Sequence, residues 1–346
     1  MPLYTYTIAE SEKWDEVVRS FECHDVYYLS GYVKAFQLHG DGQPMLFYYE
    51  DAEVRGINVV MKRDIADDLY FSDKISHGTM FDFITPYGYG GWLIEGNGVQ
   101  RLLFSSYEKW CVDHNVVSEF VRYHPVLKNA ELVRAFYDVV DLGNTIRLDL
   151  SSPKVIWANL TSKNRNMVRK AQKSGVKIYR GQFPGIYKTF REIYNLTMDS
   201  DNATPYYYFS EEFYDSICND LPEEAQVFWA EYDGKIIAAS IMLSENGYMN
   251  YHLSGSLREY QHLAPSNLLL YKAALWGCCN GCGSFHLGGG VGSKEDSLFK
   301  FKSSFNRNER LRFAIGKKVF MSEAYHELTE MKHSGESGGF FPGYRA

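Results

Sequence analysis

Residues 225–256 read AQVFWAEYDGKIIAASIMLSENGYMNYHLSGS, three β-prone runs separated by the dipeptides Asp-Gly at 233–234 and Asn-Gly at 246–247. Both dipeptides favour tight hairpins because they tolerate the positive φ angles of such turns. The stretch therefore predicts three strands. A helix is expected at 265–279, then a strand at 283–287 and the loop GGGVGS. Strands that alternate with helices in this way indicate an α/β (α+β) layer with a mixed sheet.

The same pattern extends outward in both directions. Upstream within the second half we expect a helix at 154–174 ended by Gly175, a strand at 176–180, and helices at 185–199 and 210–219. The first half predicts helices at 12–21, 27–38 and 98–114, and strands at 45–51, 54–64, within 81–95 and at 117–125. The chain thus predicts two domains, 1–150 and 151–310, followed by a Gly/Ser-rich tail at 333–346 that we expect to be loosely attached.

Composition excludes several classes of protein. The formal net charge is −7, which argues against bulk, sequence-independent nucleic-acid binding, and DNA is not an expected partner. No apolar run approaches the ~20 residues that span a bilayer. The N-terminus lacks a secretory pattern, so we expect a cytoplasmic protein. Of the six cysteines only Cys279 and Cys282 have C-x-x-C spacing, and because no second pair or nearby His pair completes a zinc site, no metal site is expected.

Several segments of the chain occur in a characteristic order. The first half contributes YVKAF (32–36), TPYGYGG (85–91) and EFVRYHP (119–125). The second half contributes WANLTSKNRNMVRKAQKSGV (157–176), IYNLTMDSDNATPYYYFSEEFY (193–214), YHLSGSLREYQHLAPSNLLLYKAALWG (251–277), FHLGGG (285–290) and DSLFKFKSSF (296–305). Together these ordered segments resemble the FemABX (peptidoglycan-bridge aminoacyltransferase) branch of the GNAT superfamily.

The resemblance implies two tandem GNAT-like domains, each with a mixed central sheet flanked by helices, and a ligand groove between them. It also implies that residues 311–330 return to the first domain. The implied activity is that of an acyltransferase, which forms an amide between an activated aminoacyl or acyl donor and an amine acceptor. Modification of a cell-wall or glycan precursor, in the cytoplasm or peripherally at the inner membrane face, would fit this activity.

The resemblance assigns the catalytic role to Lys302. In an extended Phe299-Lys300-Phe301-Lys302 stretch, the two phenylalanines would face one side and the two lysines the other. Amide formation develops negative charge on the carbonyl oxygen, and an ammonium group in a water-poor groove would stabilise it. The alternative for Lys302 is a surface lysine beside a half-buried strand.

His124, in Arg122-Tyr123-His124-Pro125, is the second candidate catalytic residue. FemABX proteins often have a carboxylate near this position, so the histidine is a departure from the family pattern. Its imidazole could accept a proton from an attacking amine. The alternative is a strand-end residue bonded to backbone.

The donor could be aminoacyl-tRNA or acyl-CoA, and no tightly bound cofactor is expected. Lys163, Arg165 and Arg169 lie on a basic helical face that either contacts phosphates or is simply solvated. GNAT proteins that use CoA hold its pyrophosphate on Q/R-x-x-G-x-G/A at a helix N-terminus. Here the corresponding stretch runs from Gln261 to Ser266, with alanine for the first glycine and a proline that lacks an N–H. This departure favours aminoacyl-tRNA over CoA.

The acceptor side is expected to include Lys34, the nearest match to a family lysine that holds acceptor phosphates. Tyr206 and Tyr207 would either line the groove for a sugar or peptide or simply pack. Tyr251 and Phe301, from the segments that carry the resemblance, complete the expected substrate-binding set. An arginine that some members have within 202–206 is absent. That gap and His124 keep open a non-catalytic ligand-binding protein, while a CoA-dependent N-acetyltransferase remains the alternative enzyme.

Overall fold

The structure is a computed structural model that describes residues 3–332 and 340–346. Its strands are β1 Leu3–Tyr6, β2 Gln43–Glu50, β3 Val54–Asp64, β4 Phe81–Ile84, β5 Leu93–Gly96, β6 Val116–Arg122, β7 Asp138–Asp149, β8 Lys177–Gly181, β9 Ala225–Tyr232, β10 Lys235–Glu245, β11 Tyr248–Ser256, β12 Ser284–Gly288 and β13 Leu311–Val319. Its α-helices are α1 Ser11–Arg19, α2 Ser30–His39, α3 Arg101–Asp113, α4 Pro153–Asn159, α5 Ser162–Lys173, α6 Pro184–Asp201, α7 Glu211–Asp220, α8 Pro265–Cys279, α9 Ser297–Ser303 and α10 Ser322–Lys332.

The chain forms two compact units. Unit 1 comprises the described residues up to Leu142 together with those from Phe313 onwards, and unit 2 is Gly143–Arg312. In unit 1 the strands run in the order β1-β2-β3-β4-β6-β13, with β5 also paired to β3. In unit 2 the second half of β7 begins the order β7-β12-β11-β10-β9-β8.

Each unit contains one parallel strand pair in an otherwise antiparallel sheet. In unit 1 this pair is β4 and β6, and in unit 2 it is β11 and β12. A helix lies between the paired strands in the sequence, α3 in unit 1 and α8 in unit 2, as a parallel connection requires. The prediction of two layers, each with a mixed central sheet flanked by helices, is confirmed.

The three-stranded segment at 225–256 forms as its turn residues predict. Asp233 and Gly234 have φ angles of 49° and 73°, and Asn246 and Gly247 have 50° and 77°. Two successive positive φ angles define the hairpin turn whose twist matches that of the flanking strands. Strands β9, β10 and β11 therefore form two consecutive hairpins, and α5 and α8 pack on each other over the apolar core of unit 2.

The helix predicted at 154–174 is two helices, so that prediction is wrong. The backbone of Leu160 is extended, with φ −60° and ψ 141°, which ends α4. The Thr161 side chain then accepts the backbone N–H of Asn164 and caps α5. Leu160 consequently lies between the helices instead of on the apolar face of one continuous helix.

The expectation of a loose tail is wrong for residues 340–346, while 333–339 lie outside the described residues. The Tyr344 side chain is fully buried in unit 1, and its hydroxyl hydrogen-bonds to Ser118 over 2.7 Å. Arg345 forms an ion pair with the buried Asp82 over 2.9 Å. Aromatic and charged residues at the end of the segment outweigh the Gly/Ser content that suggested looseness. None of the helices in the described residues has the length and apolar character needed to cross a membrane.

Candidate active site

The sheet of unit 2 opens where its two parallel strands part. Pairing between β11 and β12 covers Tyr248 with Ser284, Met249 with Phe285 and Asn250 with His286, and then stops. Beyond that point β11 stays paired with β10, while β12 continues beside β7. The opening therefore begins at Tyr251.

A β-bulge lies at the same point. Tyr251 pairs with Met242 and Leu253 pairs with Ile241, so His252 is an extra residue in β11. Bulges bend a strand and re-aim its side chains, and they are over-represented next to active sites. Burial lowers the pKa of His252 to about 3, so its imidazole is neutral at physiological pH. Sequence reasoning missed His252 because a bulge depends on strand register, which no local pattern reveals.

Lys302 comes from α9, so the extended conformation considered for residues 299–302 does not occur. The Asp296 side chain accepts the Phe299 N–H over 2.8 Å and starts the helix. In a helix Phe299 and Lys302 are three residues apart and share a face, whereas the strand pattern would have put them on opposite sides. Phe299 and Lys302 are 2% and 9% exposed, and Lys300 is exposed.

The ammonium group of Lys302 is buried with few partners. It donates a hydrogen bond to the Gly289 carbonyl oxygen over 2.8 Å and lies 5.8 Å from the centre of the Tyr251 ring. Within the described part of the chain, that carbonyl is the single hydrogen-bond acceptor at Lys302 Nζ. An ammonium has three N–H bonds, so two remain for a ligand or water.

Burial lowers the pKa of Lys302 to about 8, while the negative charge of Asp296 acts in the opposite direction. A low-dielectric environment disfavours the charged form of a lysine, and a nearby carboxylate favours it. At neutral pH the side chain therefore remains mostly an ammonium. A buried cation with open N–H bonds can stabilise a negative charge that develops on a bound oxygen.

Two further predicted substrate residues flank Lys302. Tyr251 is half-buried; burial raises its pKa, and the nearby Ser254 and Ser240 hydroxyls act in the opposite direction. Phe301 is half-buried on α9 and makes an edge contact with Phe305 at 5.4 Å between ring centres. The structure thus places Tyr251 beside the lysine, and Phe301 against the core of unit 2.

The N-terminus of α8 offers few free backbone donors. Ala264 precedes the helix in the left-handed region, with φ 56°, and donates its N–H to the Gln261 carbonyl oxygen. Pro265 has no N–H, and the Leu268 N–H bonds to the Ala264 carbonyl oxygen. Ser266 and Asn267 thus supply the remaining amides of the first turn. Gln261 itself is exposed and Ser266 is half-buried.

A buried amide pair joins α5 to this first turn. Asn267 Nδ2 donates to Asn164 Oδ1 over 2.8 Å, and Asn164 is 1% exposed. The Nδ2 atom of Asn164 is buried without a hydrogen-bond partner in the described residues. Sequence reasoning passed over both asparagines because their pairing joins residues about one hundred positions apart.

The basic face of α5 divides into engaged and free cations. Arg165 donates to the Leu160 carbonyl oxygen over 2.6 Å and so closes the end of α4. Arg169 stacks over the Trp157 ring at 5.1 Å. Lys163, Lys170 and Lys173 are exposed. The face belongs to a cationic segment, because the sequence between Asp149 and Glu192 contains ten Lys and Arg residues and no Asp or Glu.

The remaining candidates are two tyrosines of unit 2 and two residues of unit 1. Tyr206 and Tyr207, 40% and 36% exposed, contact each other in a short 3-10 turn of unit 2, with ring centres 5.4 Å apart. Lys34 is half-buried on α2 of unit 1. His124 has no exposed surface, and its Nε2 lies 2.8 Å from an oxygen of the equally buried Asp25.

The contacts of His124 favour the structural interpretation of this residue. Its Nδ1 accepts the Leu127 N–H over 3.2 Å, which assigns the ring proton to Nε2 and directs it at Asp25. A fully enclosed imidazole that is held on both nitrogens cannot meet an incoming amine directly. The ring thus contacts the backbone, as the structural alternative expected, and a buried carboxylate in addition.

Residues 162–302 match the family model described as an acetyltransferase (GNAT) domain. No curated protein matches. Among solved structures the chain is similar to FemX, with a TM-score of 0.68 at 12% identity over 94% of this chain and 99% of that one. This chain has the FemX-like GNAT fold.

Two other solved structures share the FemX-like GNAT fold. L-PGS from Bacillus licheniformis has a TM-score of 0.56 at 14% identity over 89% of this chain and 92% of that one. The C-terminal domain of a protein assigned as lysylphosphatidylglycerol synthetase, from Agrobacterium fabrum, has a TM-score of 0.56 at 14% identity over 90% and 92%. At such identities the likeness concerns the fold. The family-model match at 162–302 contains β11, α8, β12 and α9 up to Lys302.

Proposed function

We propose that this chain is an acyltransferase that forms an amide in the opening between β11 and β12. The observation that carries the proposal is the Lys302 ammonium, which is 9% exposed and has one hydrogen-bond acceptor among the described residues. A buried cation is costly unless it is paired or used. The GNAT domain match over the same residues supports acyl transfer as its use.

The reaction balances without a cofactor. The amine nitrogen of the acceptor attacks the carbonyl carbon of an activated ester, a C–N bond forms, and negative charge develops on the carbonyl oxygen. The C–O bond to the leaving group then breaks, and the leaving oxygen takes the proton that the amine loses. Lys302 donates an N–H to the charged oxygen, an interaction stronger in the transition state than in the ground state.

The donor that we propose is aminoacyl-tRNA. Two features of the chain support it over acyl-CoA. In the described residues two amides, those of Ser266 and Asn267, remain at the start of α8 to hold a pyrophosphate, because the Ala264 N–H bonds to the Gln261 carbonyl oxygen and Pro265 has no N–H. The cationic segment after Asp149 presents Lys163, Lys170 and Lys173 on one exposed face of α5, which suits an extended phosphate backbone. Arg165, which closes α4, is not part of this surface.

The acceptor that we propose is an amine on a cell-wall or glycan precursor, with Tyr251 beside the reacting atoms. One similar structure is FemX, and another carries a name that joins a lysyl group to phosphatidylglycerol. That name supports an aminoacyl group as the transferred unit. It also supports a lipid-linked acceptor, which would bring the protein to the inner face of the membrane.

The test measures whether a ¹⁴C-labelled acyl group passes from an ester, which alkali hydrolyses, to an amide, which alkali leaves intact. Purified protein is incubated with total tRNA carrying ¹⁴C-labelled amino acids and with a small-molecule extract as the source of amines. We expect label to pass from an alkali-labile ester to an alkali-stable amide. Parallel reactions contain ¹⁴C-acetyl-CoA instead. Stable label from acetyl-CoA alone would replace the donor proposal with a CoA-dependent N-acetyltransferase, and none from either donor would favour a non-catalytic binding protein.

A further inference from the structure

The loop between β12 and α9, residues 288–296 or GGGVGSKED, is folded tightly around one carboxylate. Asp296 accepts the Phe299 N–H on Oδ1 over 2.8 Å and the Val291 N–H on Oδ2 over 3.1 Å. A Cβ atom on Gly290 would lie 2.4 Å from Asp296 Oδ1 and 2.1 Å from the Lys294 carbonyl oxygen. Glycine at 290 is therefore required by the close approach of the loop to this side chain.

The Asp296 carboxylate contacts the two segments that surround Lys302, which are α9 and the glycine-rich loop. It starts α9, the helix that carries Lys302, and it ties down the loop whose Gly289 carbonyl oxygen accepts the Lys302 N–H over 2.8 Å. Its negative charge also favours the ammonium form of Lys302, and the positive charge of Lys302 in turn helps to lower the pKa of Asp296. The Asp296 side chain thus holds the segments that position Lys302 and also favours its charged form.

Other ionisable groups near Lys302 are accounted for. Glu295 of the loop is bound by Arg310 over 2.9 Å, and Lys300 is exposed. The ionisable groups on the elements around Lys302 are Asp296, Glu295 and Lys294 of the loop, Tyr248, Tyr251 and His252 of β11, His286 of β12 and Lys300 of α9. Of the two carboxylates in this set, Asp296 is the one whose charge acts on Lys302 in the described part of the chain.

We propose that Asp296 is a positioning residue that holds the glycine-rich loop and α9 so that the Lys302 ammonium faces the reacting oxygen. The role in transfer rests on the proposed function, whereas the control of Lys302 itself does not. The simpler alternative is that Asp296 only caps α9. Asparagine separates the two, because it caps a helix about as well as aspartate but carries no charge.

The experiment measures the Lys302 titration directly. Protein labelled with ¹⁵N and ¹³C at lysine is titrated by NMR, and the Lys302 signal is assigned by its absence in Lys302→Arg. We expect the Asp296→Asn variant to titrate about one pH unit lower than the parent, since an opposite charge nearby raises a lysine pKa by this order. Asp51→Asn is the matched control, because Asp51 also accepts two backbone N–H groups in a turn, at Glu53 and Val54 of unit 1.

Activity then provides a second, separable result. With a working transfer assay, Asp296→Asn should shift the alkaline loss of kcat/KM to lower pH by the same amount, while its Tm stays close to that of the parent. An unchanged Lys302 titration in Asp296→Asn would overturn the proposal and leave only a helix cap. A shifted titration in a protein that transfers nothing would instead refute the proposed function and retain the positioning role.

Discussion

At the scale of single residues, the buried charge of Lys302 lowers the stability of the folded protein. Its pKa in the folded protein is about 8, below the ordinary 10.5, so the folded state binds fewer protons than the unfolded state between these values. The free energy of unfolding should therefore rise as pH rises from about 8 to 10.5. The full unfavourable contribution is present below pH 8 and amounts to about 3 kcal/mol.

Removal of this charge should stabilise the protein while it abolishes the chemistry. We expect Lys302→Met to raise the free energy of unfolding by about 1 to 3 kcal/mol at pH 7, and by less at pH 10, where the lysine is closer to neutral. Chemical denaturation at both pH values checks this. Lys300→Met is the matched control on the same helix and should change stability by no more than about 0.5 kcal/mol. A Lys302→Met variant less stable than the parent at pH 7 would contradict this prediction. It would show that interactions in the folded protein compensate for the cost of burying the ammonium.

The Asp25–His124 pair leads to the opposite expectation. Both side chains are fully buried and bonded over 2.8 Å, so His124→Ala leaves a buried carboxylate without that partner. We expect a loss of about 3 kcal/mol in the free energy of unfolding and little change in kcat for the remaining folded protein. A large fall in kcat at full stability would restore His124 as a catalytic candidate.

At the scale of elements, the chain end acts as part of the core of unit 1. Tyr344 is fully buried beside Leu328 of α10, and Arg345 pairs with Asp82 of β4. We expect Tyr344→Ala to reduce the free energy of unfolding by about 3 to 5 kcal/mol, the range for large buried side chains. Phe340→Ala is the control, because Phe340 is 57% exposed. Equal stability of the two variants would mean that the last residues are not held.

The elements also show what local sequence could and could not predict. The two hairpins of unit 2 could be predicted from the sequence because the Asp-Gly and Asn-Gly dipeptides determine the turn conformation locally. The alternating Phe299-Lys300-Phe301-Lys302 favoured a strand, but the Asp296 cap one turn earlier decides for a helix. The parting of β11 from β12, the bulge at His252 and the Asn164–Asn267 pair depend on register and on contacts between distant residues. These features form the candidate site, and no short stretch of sequence predicts them because they arise from contacts between distant residues.

At the scale of the whole molecule, charge is distributed unevenly. The ten cations between Asp149 and Glu192 occur in a chain of net charge −7, so the other 26 cations face all 43 acidic residues. An anionic macromolecule would be attracted to this segment and repelled elsewhere. The family resemblance suggested a basic helix, while only the structure separated Arg165, which is engaged, from the exposed lysines.

Neutralising that surface should weaken donor binding in a salt-dependent manner. We expect Lys163→Gln, Lys170→Gln and Lys173→Gln together to reduce tRNA affinity. They should also make the fall of log K with log salt less steep, by roughly 2 to 3 units of slope. The control removes the same charge at Lys13, Lys109 and Lys235, which are exposed and paired with acids. Equal affinity and slope for both triple variants would place the donor on another surface.

The most direct test of the central claim compares two lysines of α9 in one reaction. The rate of amide formation is measured under single-turnover conditions for the parent, for Lys302→Ala and for Lys300→Ala. Loss of one pre-positioned donor to a developing oxyanion costs roughly a hundredfold to a thousandfold in rate. We expect that loss for Lys302→Ala and a rate within about twofold of the parent for Lys300→Ala. Equal rates for the two variants would contradict the assignment of Lys302 as the group that stabilises the transition state.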